Sequence, residues 1–429
     1  MFKRNLPMLE VHQNLKDEVK IINSGIRKVF TPHTPINELA HFFGRDEEVK
    51  RIISVITSPG QHILLFGDRG VGKTSLVNTT CNLILENLNK ALNKGKTYSK
   101  SCDRSDTFSS LFHQPLIDAG INIFRESESK RVQHTGNASV NIAVAKGELI
   151  SEHESSTVNT KQNNLESPSW VADKLRKLDG ILLLDEVDTL SDPEDKRKLA
   201  EMIKLLSDFN SGFKIVLVGI AKTANELTAG HESVQRCLKE IHLERMSDDD
   251  IKKIVVNGMN KIGKIPTDEV VDKIVNISSG FPHFTHLICL KCAETAVATN
   301  KTHIEMVILD QALEEASRDS EGTLSNTLDT MLRSTNIPQE YKLILLAASY
   351  CQKRDFRSSE LSVKMKELFD IDISSQTLSA RLSKLTKTYN NAAILTKTAI
   401  GCFTFSDPRM PSFIKILFNS SNRVVTNNV

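Results

Sequence analysis

The sequence predicts an α/β protein: a parallel sheet with helices on both faces, then a helical subdomain, then a small C-terminal module of helices and a hairpin. Three observations carry this. Over residues 25–246, apolar runs such as QHILLFG (61–67), ILLLDEVD (181–188) and FKIVLVG (213–219) alternate with stretches of helical period, the pattern of successive strand–helix–strand units. Over 247–335 the period is helical, in stretches 247–263, 266–279, 282–299 and 303–334. Over 336–429 three helical stretches precede two alternating ones, an order that reads as three helices and a hairpin.

Each element has a local reason. Residues 1–24 read as a short lead-in with a helix over LEVHQNLKDEVKII. SDT (105–107) is a helix cap before FSSLFHQPLIDAGI. Ser247 followed by three Asp residues is a strong helix start, because its hydroxyl accepts from a first-turn amide and the acids favour the positive end of the helix. Residues 126–168 are polar and rich in Ser, Asn and Glu; they read as an insertion whose middle, ASVNIAVAKGELI, alternates enough for a hairpin. A flexible loop is its simplest reading, and a partner-binding or pore-facing role is the other.

Composition bounds the function. The chain has 429 residues, 39% hydrophobic and 25% charged, which suits about two to three folded domains. A net charge of +2 excludes a wholesale basic binder of nucleic acid, so any such role needs a local patch. The start, MFKRNLPMLEVHQ, has no apolar run that suits a signal peptide, and no apolar stretch approaches the length of about 20 residues needed to span a bilayer. A cytoplasmic chain with no membrane partner is the expectation. The seven cysteines are scattered, and Cys289 and Cys292 form the one close pair, inside an apolar helical run. With no second pair to complete a zinc site, they read as core thiols.

The chemistry-bearing motif is FGDRGVGKTS (66–75). Gly67, four variable residues (Asp68, Arg69, Gly70, Val71) and Gly72-Lys73-Thr74-Ser75 form a phosphate-loop pattern between a strand and a helix, the context it requires. Glycines let the backbone curl so that N–H groups point at phosphate, and the helix that follows adds its positive end. Lys73 places a charge on the outer phosphates, and the Thr74 hydroxyl suits Mg²⁺. The cofactors expected are therefore ATP and Mg²⁺. A hydrolytic site needs acids as well. ILLLDEVD ends a buried strand in Asp185-Glu186; ligands bind at that end of a parallel sheet. Asp185 would hold the metal and Glu186 would polarise the attacking water.

With these residues in place the chain resembles AAA+ ATPases, in the branch that holds origin-recognition-complex-like and STAND-type members. FFGRDEEVKRIISVI (42–56) resembles that branch's opening segment, which implies Phe43, Gly44 and Arg45 on the base side of the nucleotide. FKIVLVGIAKTANEL (213–227) resembles the sensor strand, ESVQRCLKEIHLERMS (232–247) the segment that carries an arginine finger, with Arg236 in that place, and SSGFPHFTHL (278–287) the second sensor of a helical lid. The resemblance spans roughly 25 to 335, and more weakly the C-terminal part. Two positions depart from it. After the sensor strand stand Lys222 and Thr223 instead of a polar Asn; either contacts the γ-phosphate or the sensor is lost. In the lid His283 stands where a relative has Arg. These departures imply slow turnover, as in a switch and unlike a motor. A finger at Arg236 acts on a neighbouring subunit's site, so the resemblance implies a homo-oligomer.

The C-terminal order, PQEYKLILLAASYCQ (338–352), SSELSVKMKELFDI (358–371), SSQTLSARLSKLTKT (374–388) and then AAILTKTAIGCFTFSD (392–407), is that of a winged helix. Its third helix carries Arg381, Lys384 and Lys387, and its hairpin Lys397. These suit contacts with DNA phosphates, which position a protein without reading sequence; protein contacts are the alternative. Two functions therefore stand at this level. One is an ATP-hydrolysing switch that couples nucleotide state to assembly and double-stranded DNA, of the replication, transposition or phage-defence type. The other is a nucleotide-gated signalling scaffold that recruits a separate effector protein.

Overall fold

The computed structural model of the chain describes residues 6–92, 96–121, 123, 165–220, 232–319, 322–351, 355–388 and 393–419. They form two compact units: Glu48–Gly67 with Thr80–His242, and Met1–Glu47 with Asp68–Thr79 and Leu243–Val429.

The first unit is built on a sheet of β1 (His62–Gly67), β2 (Lys96–Ser101), β3 (Gly180–Asp185), β4 (Phe213–Gly219) and β5 (Leu238–Leu243), in the order β2-β3-β4-β1-β5. The pairs β2–β3, β3–β4 and β4–β1 are parallel. Strands β3 and β4 are apolar and buried nearly throughout, as a strand covered on both faces must be. Leu64, Leu182, Leu184, Ile215 and Leu217 recur at every second position and pack on Leu111, Phe112, Val171, Leu199 and Ile203 from the helices Phe108–Asp118, Pro168–Leu175 and Pro193–Asp208. The cap expected before the first of these helices is present: Thr107 accepts from the Ser110 amide and Ser110 returns the bond. Strand β2 was not expected. Its sequence, KTYSKS, is polar, and among its positions only Tyr98 is buried, so it carries little of the apolar signal that reveals a strand.

The second unit contains the expected run of helices, Asp248–Lys261, Asp268–Ser278 and Pro282–Ala298, with Ser247 accepting from the Asp250 amide at the first and Thr267 from the Val270 amide at the next. The stretch read as one helix over 303–334 is divided: His303–Ile304 pairs with Ile265–Pro266 as a short parallel ladder, and two helices follow, Met306–Arg318 and Gly322–Arg333. Cys289 and Cys292 are buried in Pro282–Ala298, and burial pushes both thiols well above their ordinary pKa. In the same unit, three helices Pro338–Ser349, Ser358–Phe369 and Ser375–Leu385 precede a hairpin of Leu395–Ala399 and Cys402–Phe405, turned at Ile400–Gly401, to which Asp355–Arg357 adds a third strand. A last helix, Met410–Asn419, has no counterpart in the sequence reading. It caps another helix: the Ser412 hydroxyl donates to Ser278 O at 2.9 Å, and the Lys415 ammonium donates to Asn276 O at 2.9 Å, satisfying carbonyls at the end of Asp268–Ser278. No helix among the described residues is long and apolar enough to cross a membrane.

Two buried histidines make stability depend on pH. His62 Nδ1 accepts from the Ile215 amide at 3.0 Å, and His286 Nδ1 accepts from the Thr31 amide at 3.2 Å, so each ring is held neutral. Burial lowers their pKa values to about 3 and about 4, with the Lys214 cation adding to the effect at His62 and His283 at His286. The unfolded chain binds these protons near pH 6.5 and the folded chain does not. Stability is therefore full above about pH 6.5 and is lost as pH falls towards 4. The melting temperature is expected to drop between pH 7 and 4.5, and His286→Asn to flatten that drop; an unchanged slope in the variant would contradict the assignment.

Candidate nucleotide site

Gly67 ends β1, and the chain turns through Asp68–Gly72 into the helix Lys73–Leu92, whose first bond runs from the Leu76 amide to Gly72 O at 3.0 Å. Gly70 and Gly72 have φ of +84° and +92°, a region that costs other residues strain. Lys73 Nζ donates to Asp68 O at 2.9 Å, so the lysine folds back along its own loop. One side of the loop is lined. A Cβ at Gly70 would lie 3.4 Å from Arg409 Cδ and 3.7 Å from the Phe281 ring, and one at Gly72 would lie 3.5 Å from Pro282. Arg409 is buried, with Nε donating to Asp407 Oδ1 at 3.0 Å and Nη2 to Asp407 Oδ2 at 2.7 Å. Arg245 lies 4.6 Å above the Phe281 ring and 3.9 Å from the Asp68 carboxylate. The helix beyond the loop holds the chain before it: Ser75 Oγ accepts from the Ile36 amide and Thr79 Oγ1 donates to Ile36 O, each at 3.1 Å.

The acids stand at the end of β3. Asp185 Oδ1 accepts from the Glu186 amide at 2.8 Å, while Asp185 O accepts from the Cys102 amide at 2.8 Å. Glu186 has φ +57° and an exposed side chain. Its carbonyl accepts from both the amide and the hydroxyl of Thr189, at 2.9 and 2.7 Å. A left-handed non-glycine residue persists only where its surroundings fix it, and such residues cluster at functional sites. In the parallel register β1 and β3 end on the same edge of the sheet with β4 between them. Asp185 is level with Leu65, about two strand spacings or roughly 10 Å away, and Gly67 lies two residues further along β1.

The other expected residues are distributed unevenly. Arg45 is left-handed (φ +65°) and 5% exposed, and its Nη2 donates to Val71 O at 3.3 Å and to Glu244 O at 2.5 Å. Gly44 is left-handed (φ +77°), and a Cβ there would press on Met246 Cε at 2.7 Å and Asp250 Cβ at 3.0 Å. Phe43 packs on Met246, Ile251 and Ile254. The His283 ring lies with Nδ1 2.8 Å from Pro32 O, so this substitute for a lid arginine engages the chain that precedes the loop. Lys222, Thr223 and the proposed hairpin at 138–150 lie outside the described residues. Arg236 sits near the start of β1, its carbonyl accepting from Gln61 Nε2 at 2.9 Å. That is the sheet edge opposite Glu186 of the same chain.

Of the four residues expected at DNA, two are half-exposed and engaged by their own chain. Arg381 Nε donates to Glu340 Oε1 at 3.0 Å and Lys384 Nζ to Ser334 O at 3.0 Å, and both cations lie under 6 Å from the Tyr341 ring centre, at 5.8 and 5.7 Å. Lys387 and Lys397 are exposed. The residues that sequence reasoning missed are Phe281, Arg245 and Arg409 beside the loop. Arg409 comes from more than three hundred residues along the chain, and no local pattern signals such a contact.

A glycine-lined turn at the end of one parallel strand and paired acids at the end of another define a P-loop NTPase fold. The family described as novel STAND NTPase 1 (nSTAND1) matches residues 35–328, more than half of the chain, and the chain belongs to it. The STAND-type expectation is thereby met at the level of family. Among solved structures the chain is similar to the Walker-type ATPase PABY2304 of Pyrococcus abyssi (16% identity, 90% of this chain and 99% of that one, TM-score 0.49). It is similar also to the ORC2 protein of Aeropyrum pernix with ADPNP and ADP (15%, 92% and 97%, 0.49) and to Cdc6p of Pyrobaculum aerophilum (15%, 91% and 98%, 0.47). No curated protein matches the chain.

The engaged pair gives a direct test. Arg381→Ala is expected to lower the melting temperature by roughly 1–2 °C, through the lost stacking and ion pair. Lys387→Ala is expected to leave it unchanged. Equal melting temperatures for the two variants would contradict that engagement of Arg381 by its own chain.

Proposed function

We propose that the chain is an ATP-hydrolysing switch. ATP and water become ADP and phosphate, and the nucleotide state is passed to assembly and to the C-terminal winged helix. The observation that supports this most is the common sheet edge: the loop leaves β1 where Asp185 and Glu186 leave β3. Amides of the loop and Lys73 bind the phosphates. The base side is formed by the chain around Phe43 and Gly44. The Thr74 hydroxyl and the Asp185 carboxylate are hard oxygen donors, a set that fits Mg²⁺; when bound, that ion supplies positive charge to the phosphate oxygens. Glu186 accepts a hydrogen bond from the attacking water and orients it. Arg236, on the far edge, serves a neighbouring subunit's site in an oligomer. His283 and Lys222 report the γ-phosphate weakly or not at all, and turnover is slow.

A second reading, a scaffold that holds ATP and recruits a separate effector, gains from one observation. Arg381 and Lys384 are engaged within their own chain, which leaves Lys387 and Lys397 to meet DNA.

Turnover of wild type beside Lys73→Ala and Glu186→Gln, with and without double-stranded DNA and with oligomer mass followed, tests both readings. The switch predicts hydrolysis that DNA stimulates, a loss of about 100-fold or more in each variant, and a larger assembly of Glu186→Gln with ATP. Background turnover in all three proteins would sink it in favour of the scaffold.

A further inference from the structure

Arg45 does more for the loop than a base-side residue would. Its backbone is left-handed and its side chain almost fully buried, a costly arrangement for an arginine. One guanidinium nitrogen, Nη2, donates to both Val71 O at 3.3 Å and Glu244 O at 2.5 Å. The peptide units are all trans among the described residues, and a trans unit carries its C=O and the following N–H on opposite sides. A Val71 carbonyl turned to Arg45 therefore sends the Gly72 N–H the other way. Gly72, at φ +92°, then turns the chain into its helix. An unheld Val71–Gly72 peptide could rotate and present a carbonyl, which repels phosphate, in place of an amide, which binds it.

We infer that Arg45 is a positioning residue of the phosphate cradle: through Val71 O it fixes the Gly72 amide toward the phosphates of a nucleoside di- or triphosphate. Arg45 acts through the peptide and does not touch the ligand. The inference rests on the nucleotide reading above and adds to it a residue and a ligand preference, for nucleotides that extend beyond a single phosphate.

Isothermal titration of ADP, ATP and AMP, each with Mg²⁺, into the full chain tests it. Arg45→Met keeps the length of the side chain and removes the donor. It is expected to weaken ADP and ATP by about 10- to 100-fold, the worth of a charge-assisted hydrogen bond, and to change AMP by about twofold at most. Arg45→Lys keeps one donor and is expected to recover part of the ADP affinity. Unchanged ADP binding in Arg45→Met, or AMP weakened by the same factor as ADP, overturns the inference. If Arg45→Met does not fold, Arg45→Lys decides alone: a loss for ADP that exceeds the loss for AMP supports the inference, and equal affinity changes overturn it. Wild type that binds neither ADP nor ATP would instead sink the nucleotide reading itself, an outcome distinct from the others.

Discussion

The candidate site depends on turning carbonyls away from one short loop. A peptide chain offers as many acceptors as donors, so an anion site made of backbone needs its carbonyls occupied elsewhere. In this chain Asp68 O is held by Lys73, Val71 O by Arg45 and Gly72 O by the Leu76 amide. Two left-handed glycines make the curl, and the side chains of Phe281, Pro282 and Arg409 stand at contact distance beside them. The loop is thus organised by residues from before it, within it and far after it.

Those contacts connect the loop to the remainder of its unit. Pro282 touches Gly72 while His283, the next residue, lies on Pro32, and Phe281 carries Arg245 on its face. The turn Ser278–Phe281 also receives the last helix, through Ser412 and Lys415. A change in the loop has a packed route to the C-terminal module within a few residues. Packed side chains of this kind carry coupling when both ends have two arrangements.

The sequence made the loop and the acids legible because their chemistry is local. A phosphate loop needs glycines at fixed spacing, and a buried strand ending in Asp-Glu needs no partner to be recognised. Helix starts at Thr107 and Ser247 were legible for the same reason, since a cap is a contact across three residues. Strand β2 was not, because an edge strand with a single buried side chain lacks apolar contrast. The helix Met410–Asn419 is apolar, but its seat on Ser278 is set by tertiary contact that no local pattern signals. Arg45, Arg381 and Lys384 each donate to a carbonyl or carboxylate of their own chain, and nothing at sequence range signals such a partner.

The central claim is that the loop and the acid pair act on one nucleotide. The crystal structure of Glu186→Gln grown with ATP and Mg²⁺ tests it most directly. The account predicts ATP with its phosphates on the amides of Gly70–Thr74 and a metal ion held by Thr74 and Asp185. An empty loop at saturating ATP, or a nucleotide bound away from both Lys73 and Asp185, would contradict it.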